Sequence, residues 1–281
     1  MLKNRLQTQT GIALAIVVWF IAGMSLLVAG IVSHASLDAR MAQLHVAKAK
    51  VRAAGDGAIH LFLADVLAGK LSPAMLSREG VEYQLGELSV RVTAVPGAGL
   101  IDLNSAGPAL LSYLFTVAGD MDKDDAQLLA NNVVDWRSKR TRRSSGKYEG
   151  GRFTGIEDML RVDGVSRTLL DGIREYVVAG RAASGTTNWQ LSPPHVLALL
   201  ESVDAGQYAV ASRAQANALE RQEVDAGAAG ASLAGAIRAD ALVDYGGRTW
   251  LRRRWIDTAD GGSSSLPWRV ISKEAPRVIA Q

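Results

Sequence analysis

Hydrophobic and polar residues divide the chain into an uncharged N-terminal stretch and a long mixed remainder. Residues 12–32 are almost all apolar and include no charged side chain. As an α-helix rising about 1.5 Å per residue, this stretch would span about 30 Å, the thickness of the hydrocarbon core of a bilayer. The pattern therefore predicts one membrane-spanning helix close to the N-terminus.

The helical pattern continues beyond residue 32 but becomes amphipathic. Apolar residues recur at helical spacing as far as Val66, with lysines and arginines between them. We therefore predict a membrane and stalk helix over residues 12–68. The small residues within positions 53–58 favour the close approach of a sheet or another helix, or else a weakened helix with no such role.

Two strand patterns follow the stalk. Residues 88–95 alternate apolar and polar side chains, which predicts a β-strand. The sequence LIDLN at residues 100–104 predicts a second short strand that ends at a helix cap on Asn104 or Ser105. Residues 69–104 would thus form the first part of a sheet.

Residues 105–185 show the apolar faces of several helices and predict an inserted helical domain. Thr154 and Glu157 have the spacing of a capping box, and Ser166 is a predicted cap for the last helix of this region. Residues 186–225 predict a second helical segment in which Ser192 caps the first helix.

The C-terminal residues 236–281 predict antiparallel strands. Gly246-Gly247 is a strong signal for a two-residue hairpin. The expected fold class is α+β, with a long N-terminal transmembrane and stalk helix packed on an antiparallel sheet and a large all-helical domain inserted between strands. The strands are expected at residues 236–245, 248–258 and 266–275.

Composition narrows the chemistry that the chain can perform. It has 281 residues, a net charge of +3 and no cysteine, which excludes disulfides and cysteine nucleophiles. Walker, nucleophile-elbow and dinucleotide-binding motifs do not occur in the sequence, and His34, His45 and His60 lack the spacing of metal ligands. We therefore expect no enzymatic activity and no firmly predicted cofactor.

Gly11 lies at the junction between a polar, basic leader and the apolar helix. This arrangement resembles the type IV pilin class, in which prepilin peptidase cleaves after the glycine. The resemblance implies a leader over residues 1–11 and Ile12 as the methylated first mature residue. A signal peptide would have a shorter apolar core, whereas an unprocessed membrane anchor stays open as an alternative. Lys3 and Arg5 predict a cytoplasmic N-terminus and a periplasmic body on the inner membrane.

Ile16 occupies the fifth position after the predicted cleavage site. Most pilin-like subunits carry glutamate there, opposite the N-terminal amine of the adjacent subunit in the fibre. A charge inside an apolar segment requires such a partner. An apolar residue at this position therefore suits a subunit with no neighbour above it, at the fibre tip.

Three segments, GLIDLNSA, NNVVDWRS and GGRFTGIEDMLRVDGVSRTLLDGI, occur in the order that resembles the minor pseudopilin K family of type II secretion. The resemblance implies a subunit at the tip of the pseudopilus that nucleates assembly for export of folded proteins across the outer membrane. It implies minor pseudopilins I and J, the major pseudopilin and prepilin peptidase as partners. The positions that match the family pattern are Asn104, Asp135, Trp136, Phe153, Leu160 and Gly164.

The acidic residues Asp120, Asp122 and Asp124 are weak candidates for a calcium site, since oxygen ligands two residues apart begin an EF-hand loop. Later positions of that motif are not matched, and acidic capping of the helix that follows is the simpler interpretation. Relatives in the family often carry acids just after the tryptophan. This chain instead has Arg137, Ser138 and Lys139 there, and cations do not bind calcium.

One alternative function is DNA binding by a minor pilin or pseudopilin. The sequence VDGVSRTLLDGI resembles a helix-hairpin-helix, a module that presents backbone amides to phosphate. A basic run over residues 137–147 adds positive charge. The second glycine of that motif is Ser166 here, and the body is expected outside the cytoplasm, so nucleic acid is not an expected partner.

Overall fold

The computed structural model describes residues 10–71, 80–138, 141–142, 148–222, 235–259 and 266–280. The chain divides into two compact units, residues 1–50 and 51–281. Helix α1 (Thr10–Leu67) begins in the first unit and ends in the second. This agrees closely with the predicted membrane and stalk helix, while most of the predicted leader lies outside the described residues.

The second unit contains the remaining elements in alternating groups of strands and helices. Strands β1 and β2 come first, five helices and four very short strands follow, and four further strands complete the described part of the chain. In chain order they are β1 (Val81–Leu85), β2 (Leu88–Pro96), β3 (Ile101–Asp102), α2 (Pro108–Val117), α3 (Lys123–Ser138), β4 (Thr141–Arg142), β5 (Tyr148–Glu149), α4 (Arg167–Ile173), β6 (Val177–Val178), α5 (Pro194–Val203), α6 (Ala205–Gln222), β7 (Ala236–Tyr245), β8 (Arg248–Asp257), β9 (Arg269–Lys273) and β10 (Arg277–Ala280).

One antiparallel sheet forms the centre of this unit. Its strands lie in the order β1-β2-β7-β8-β10, and β9 pairs with another part of β8. Gly246 and Gly247 join β7 to β8 with φ angles of 64° and 70°, so Tyr245 lies opposite Arg248. Such angles suit the turn that matches the twist of paired strands. The predicted hairpin is therefore confirmed.

Alternate residues of the central strands form two different faces. The first face is largely apolar and packs on the C-terminal part of α1, where Gly55 lies against Arg252 and Ala241. The second face meets the helical insertion. The buried apolar residues of the first face include Val90, Val92, Ala94, Ala239, Ala241 and Val243.

The insertion leaves the sheet after β2 and returns to it at β7, as predicted. Helices α2, α3 and α4 enclose a shared core with residues from a 3₁₀-helix at Ile156–Arg161. The parallel pair β3–β6 joins the beginning of the insertion to the end of α4. The two-residue strands add minor sheet content to a domain that was expected to be all helical, and the fold is α+β. Its most deeply buried side chains include Leu111, Leu114, Phe115, Val133, Met159 and Leu170.

Local capping differs from the predictions at three places. Helix α2 begins at Pro108 with Gly107 as its cap, so the predicted cap at Asn104 or Ser105 is wrong. Thr154 donates to Asp158 rather than forming a capping box with Glu157, because this segment is a 3₁₀-helix and not an α-helix.

The two remaining predicted caps, Ser192 and Ser166, have different outcomes. Helix α5 begins at Pro194 with Pro193 as its cap, one residue later than the Ser192 cap predicted. The cap at Ser166 is confirmed, since its hydroxyl accepts from the Leu169 amide at 3.0 Å.

Candidate functional site

The N-terminal part of α1 exposes apolar side chains around its whole circumference. Trp19 is 81% exposed and Leu26 is 75% exposed. Its most apolar window has a mean hydropathy of 2.5 and no residue buried inside the protein, and the helix is long enough to cross a membrane. A helix that is apolar on all sides needs lipid or neighbouring apolar helices around it, because exposing this much apolar surface to water is unfavourable.

The predicted processing residues lie at the beginning of this helix. Gly11 and Ile12 belong to the first turn of α1, and their side-chain surroundings lie outside the described residues. Ile16 is 63% exposed on the apolar surface. Cleavage after Gly11 and the tip-specific role of Ile16 stay predictions.

Three consecutive arginines of β8 are almost fully buried, although such a run usually indicates a solvated surface. Arg252 and Arg254 face α1, where both guanidinium groups bind the carboxylate of Asp56. The Arg252 Nε lies 2.7 Å from Asp56 Oδ1. Burial by itself would raise the pKa of Asp56, but the hydrogen bonds from the two arginines outweigh it and hold the pKa below the ordinary value.

Arg253 points from β8 to the opposite face and joins the sheet to the helical insertion. It lies directly across from Asp240 in the β7–β8 register and binds both oxygens of that carboxylate. Its guanidinium also binds both oxygens of Glu175, at 2.9 and 2.7 Å. Glu175 follows α4, so this side chain connects the end of the insertion to the middle of the sheet.

Glu175 forms ion pairs with two more arginines besides Arg253. Its oxygens lie 3.1 Å from Arg238 Nη2 and 3.1 Å from Arg277 Nη2. Burial would raise the pKa of Glu175, but the hydrogen bonds and positive charge of these arginines lower it from 4.5 to about 2. The carboxylate is therefore ionised throughout the physiological range and holds the two layers together.

Two residues of the family pattern, Asn104 and Phe153, contact each other. The Asn104 side-chain amide donates to the Phe153 carbonyl at 3.0 Å and accepts from the Phe153 amide at 2.7 Å. This pair fixes the chain after β3 to a segment almost fifty residues later. Asn104 therefore links two distant segments of the insertion by hydrogen bonds and does not cap a helix.

Arg137 belongs to the basic run but performs an internal role. Its guanidinium donates to the carbonyls of Leu103 and Ala106 at 2.7 and 2.6 Å. Burial lowers the pKa of Arg137, and the nearby Asp102 carboxylate partly opposes this effect. The interaction satisfies carbonyls in the turn between β3 and α2, so this arginine is not available to a nucleic acid.

The remaining family-pattern residues lie on α3, on the 3₁₀-helix and in the turn that follows it. Trp136 packs partly on the core and carries the Arg161 guanidinium 5.6 Å from its ring centroid. Gly164 has a φ of 93°, which allows the turn between the 3₁₀-helix and α4. Asp135 and Leu160 are exposed, and Leu160 retains 38% of its surface.

The three aspartates considered for calcium lie at the N-terminal end of α3. The Asp122 carboxylate accepts from the Asp124 amide at 3.3 Å, as a helix cap does. Asp120 has a φ of 53°. Over the described residues, no three histidine or acidic side chains are arranged to hold a metal ion. Calcium binding stays untested, and the described geometry of Asp122 matches the capping interpretation.

The segment considered for DNA binding consists of a 3₁₀-helix, a turn and the short helix α4. Its first half is thus not the α-helix that the resemblance implied. Part of the basic run, residues 139–140 and 143–147, lies outside the described residues. The structure therefore shows a turn between a 3₁₀-helix and the short helix α4.

The fold resembles that of a solved secretion protein. A chain in the crystal structure of the GspK-GspI-GspJ complex from the type 2 secretion system of enterotoxigenic Escherichia coli superposes with a TM-score of 0.51. The match covers 86% of this chain and 99% of that chain at 12% sequence identity. The protein has a pseudopilin-like fold.

Sequence comparison gives a shorter and different match. The human endonuclease/exonuclease/phosphatase family domain-containing protein 1 is 33% identical over 118 residues, and the bovine protein is 30% identical over 117. Each match covers 42% of this chain but 17% of the relative. The chain thus spans a small fraction of the length of these curated relatives. A scan against protein-family models finds no matching family.

The buried arginine clusters were missed by reasoning from the sequence. A signal for one of them was present, because the Gly246-Gly247 hairpin fixes the register of β7 and β8. That register places Asp240 opposite Arg253. The partners Asp56 and Glu175 carried no comparable signal, since they come from parts of the chain distant in sequence.

Proposed function

We propose that this chain is a minor pseudopilin of a type II secretion machine, with a role in assembly rather than catalysis. The observation that carries the proposal is the fold, which superposes on nearly the whole of a chain from the GspK-GspI-GspJ complex. The exposed apolar part of α1 supports it, since a pseudopilin needs a helix that can leave a membrane and pack among the helices of neighbouring subunits.

The proposal extends to the position of the subunit in the fibre. Ile16 carries no charge, so the mature N-terminal region presents no acid that requires the amine of a subunit above it. A place at the tip fulfils this condition. The helical insertion between β2 and β7 adds bulk that would extend beyond the fibre and prevent another subunit from stacking above.

The corresponding partners would be minor pseudopilins I and J, with the major pseudopilin below them, and prepilin peptidase would cleave after Gly11. The anchored protein would lie in the inner membrane with its body in the periplasm. Export of folded proteins would depend on the subunit because it nucleates the fibre. In this proposal the bulky body overhangs the fibre tip, whereas the apolar helix packs among the helices of the shaft.

Deletion and complementation in the native host test this function. Loss of the gene should abolish export of folded proteins and pseudopilus formation, and the full-length protein should restore both. The detergent-solubilised protein should co-purify with the I-type and J-type minor pseudopilins. Normal export in the deletion strain, or failure to associate with either subunit, would contradict the proposal.

A further inference from the structure

A cleft of about 730 Å³ lies between the helical insertion and the sheet at β9. The contacts that join the two layers do not fill it. Trp255 of β8 and Ile271 of β9 contribute apolar surface from the sheet. Residues 152–157 and 177–182 of the insertion form the opposite wall.

The walls of the cleft include extended backbone. Strand β9 pairs with β8 along one edge, and within the described residues it has no strand partner along the other edge. Across the cleft, the chain continues from β6 into Ala179, which is extended with φ −148° and ψ 163°. An open strand edge presents backbone donors and acceptors to an added strand.

The charges around the cleft are not balanced. Arg174 is nearly buried and lies beside both lining carboxylates, 3.3 Å from Glu157 and 4.0 Å from Glu274. Arg152 and Arg181 are exposed, and neither has an ion-pair or hydrogen-bond partner in the described part of the chain. The two guanidinium groups leave net positive charge at the rim, which favours an acidic ligand.

We propose that this cleft binds an extended acidic segment of a partner protein by adding it as a strand to the free edge of β9. Alternate side chains of an extended peptide point in opposite directions. The acidic set would point into the cleft, where its aliphatic carbons would lie beside Trp255 and Ile271 and its carboxylates would reach Arg152 and Arg181. A small anion would use only the arginines, whereas a peptide uses the strand edge, the apolar surface and the charge together.

Binding of synthetic peptides to the full-length protein in detergent tests the proposal without reference to a pseudopilus. The probe is a short fluorescent peptide in which glutamate alternates with valine, measured by anisotropy. The double variant Arg152→Glu/Arg181→Glu should bind it about tenfold more weakly, equivalent to about 1.4 kcal/mol. The control variant Arg213→Glu reverses the charge of an exposed arginine on α6, which does not line the cleft, and should leave the affinity for the peptide unchanged.

Two altered peptides separate the contributions of charge and backbone. A peptide with glutamine in place of glutamate should lose affinity, and a backbone N-methylated version of the acidic peptide should also lose it because it cannot donate to a strand edge. Equal binding of either peptide, or no effect of the double variant, would overturn the proposal. Competition by inorganic phosphate at the same concentration as the peptide would also overturn it, because it would indicate a simple anion site.

Discussion

Gly55 of α1 lies directly against Arg252 of β8. A Cβ added to this glycine would lie 2.7 Å from the Arg252 Cβ, closer than two such atoms can approach. The glycine therefore allows the helix to lie close enough for its neighbour Asp56 to bind both Arg252 and Arg254. Gly55 thus serves the close approach of the sheet.

Gly55→Ala should destabilise the protein by about 1–3 kcal/mol, because an overpacked contact at the rigid base of a side chain forces the backbone to shift. Gly57→Ala is the matched control. Its added Cβ would lie 3.5 Å from Leu85, an ordinary contact, and alanine should stabilise a helix interior by up to about 1 kcal/mol relative to glycine. Thermal unfolding of both variants checks this, and equal effects would show that the contact imposes no constraint.

Glu175→Gln should weaken the attachment of the insertion to the sheet. The substitution removes the charge that faces Arg238, Arg253 and Arg277 and leaves buried guanidinium groups under-compensated. Because Glu175 is partly exposed, we expect a loss on the order of 2 kcal/mol in the free energy of unfolding. Glu201→Gln on the exposed surface of α5 should cause no measurable change.

The stability of this connection should also depend on acid. The pKa of Glu175 is lowered from 4.5 to about 2 in the folded protein, so its contribution is fully present above pH 4.5 and is lost as the pH falls towards 2. The difference in unfolding free energy between the wild type and Glu175→Gln should therefore shrink over this interval. A difference that stays constant across it would mean that the carboxylate is not held ionised by the arginines.

Processing is tested at Gly11, the last residue of the predicted leader. Gly11→Trp should block cleavage and leave Met1 at the N-terminus, whereas Gly30→Trp, within the same helix and with no neighbouring atom near its side-chain position, should be cleaved normally. N-terminal mass spectrometry of the membrane form in cells that express prepilin peptidase provides the measurement. An intact N-terminus in the wild-type protein would indicate an unprocessed anchor instead.

Ile16→Glu tests the position in the fibre. In the proposed tip position no amine would lie above this residue, so the acid should modestly weaken membrane insertion and should not improve fibre assembly. The cost of an acid at the centre of a membrane helix is about 3 kcal/mol, and it is lower near the end of the helix. Ile16→Gln serves as the uncharged control. Improved incorporation of the glutamate variant along the shaft, detected by cross-linking, would identify a subunit of the fibre body.

The elements that could be predicted are those whose signals are local. The apolar run and its amphipathic continuation specify α1, because helix formation depends on residues three and four positions apart. The Gly246-Gly247 turn specifies β7 and β8, since glycine accepts the positive φ angles that a tight hairpin requires. Strands β1 and β10 were missed because their patterns extend over only five and four residues, although β1 alternates apolar and polar side chains.

The capping errors have a different physical cause. Asn104 has the chemistry of a helix cap, and its local sequence supports that interpretation. In the folded protein the same amide forms two hydrogen bonds with the backbone of Phe153. A polar side chain that is bonded to a distant segment in this way is not positioned to cap the local helix.

The sequence by itself determined the α+β organisation, the apolar N-terminal helix and the place of the insertion between strands, because each depends on periodicity or on turn residues. Only the tertiary structure decided the environment of Arg252, Arg253 and Arg254. Burying these charges requires carboxylates within hydrogen-bonding distance. Two of those carboxylates, Asp56 and Glu175, arrive from a helix and from the insertion, so folding and not local sequence brings them to the arginines.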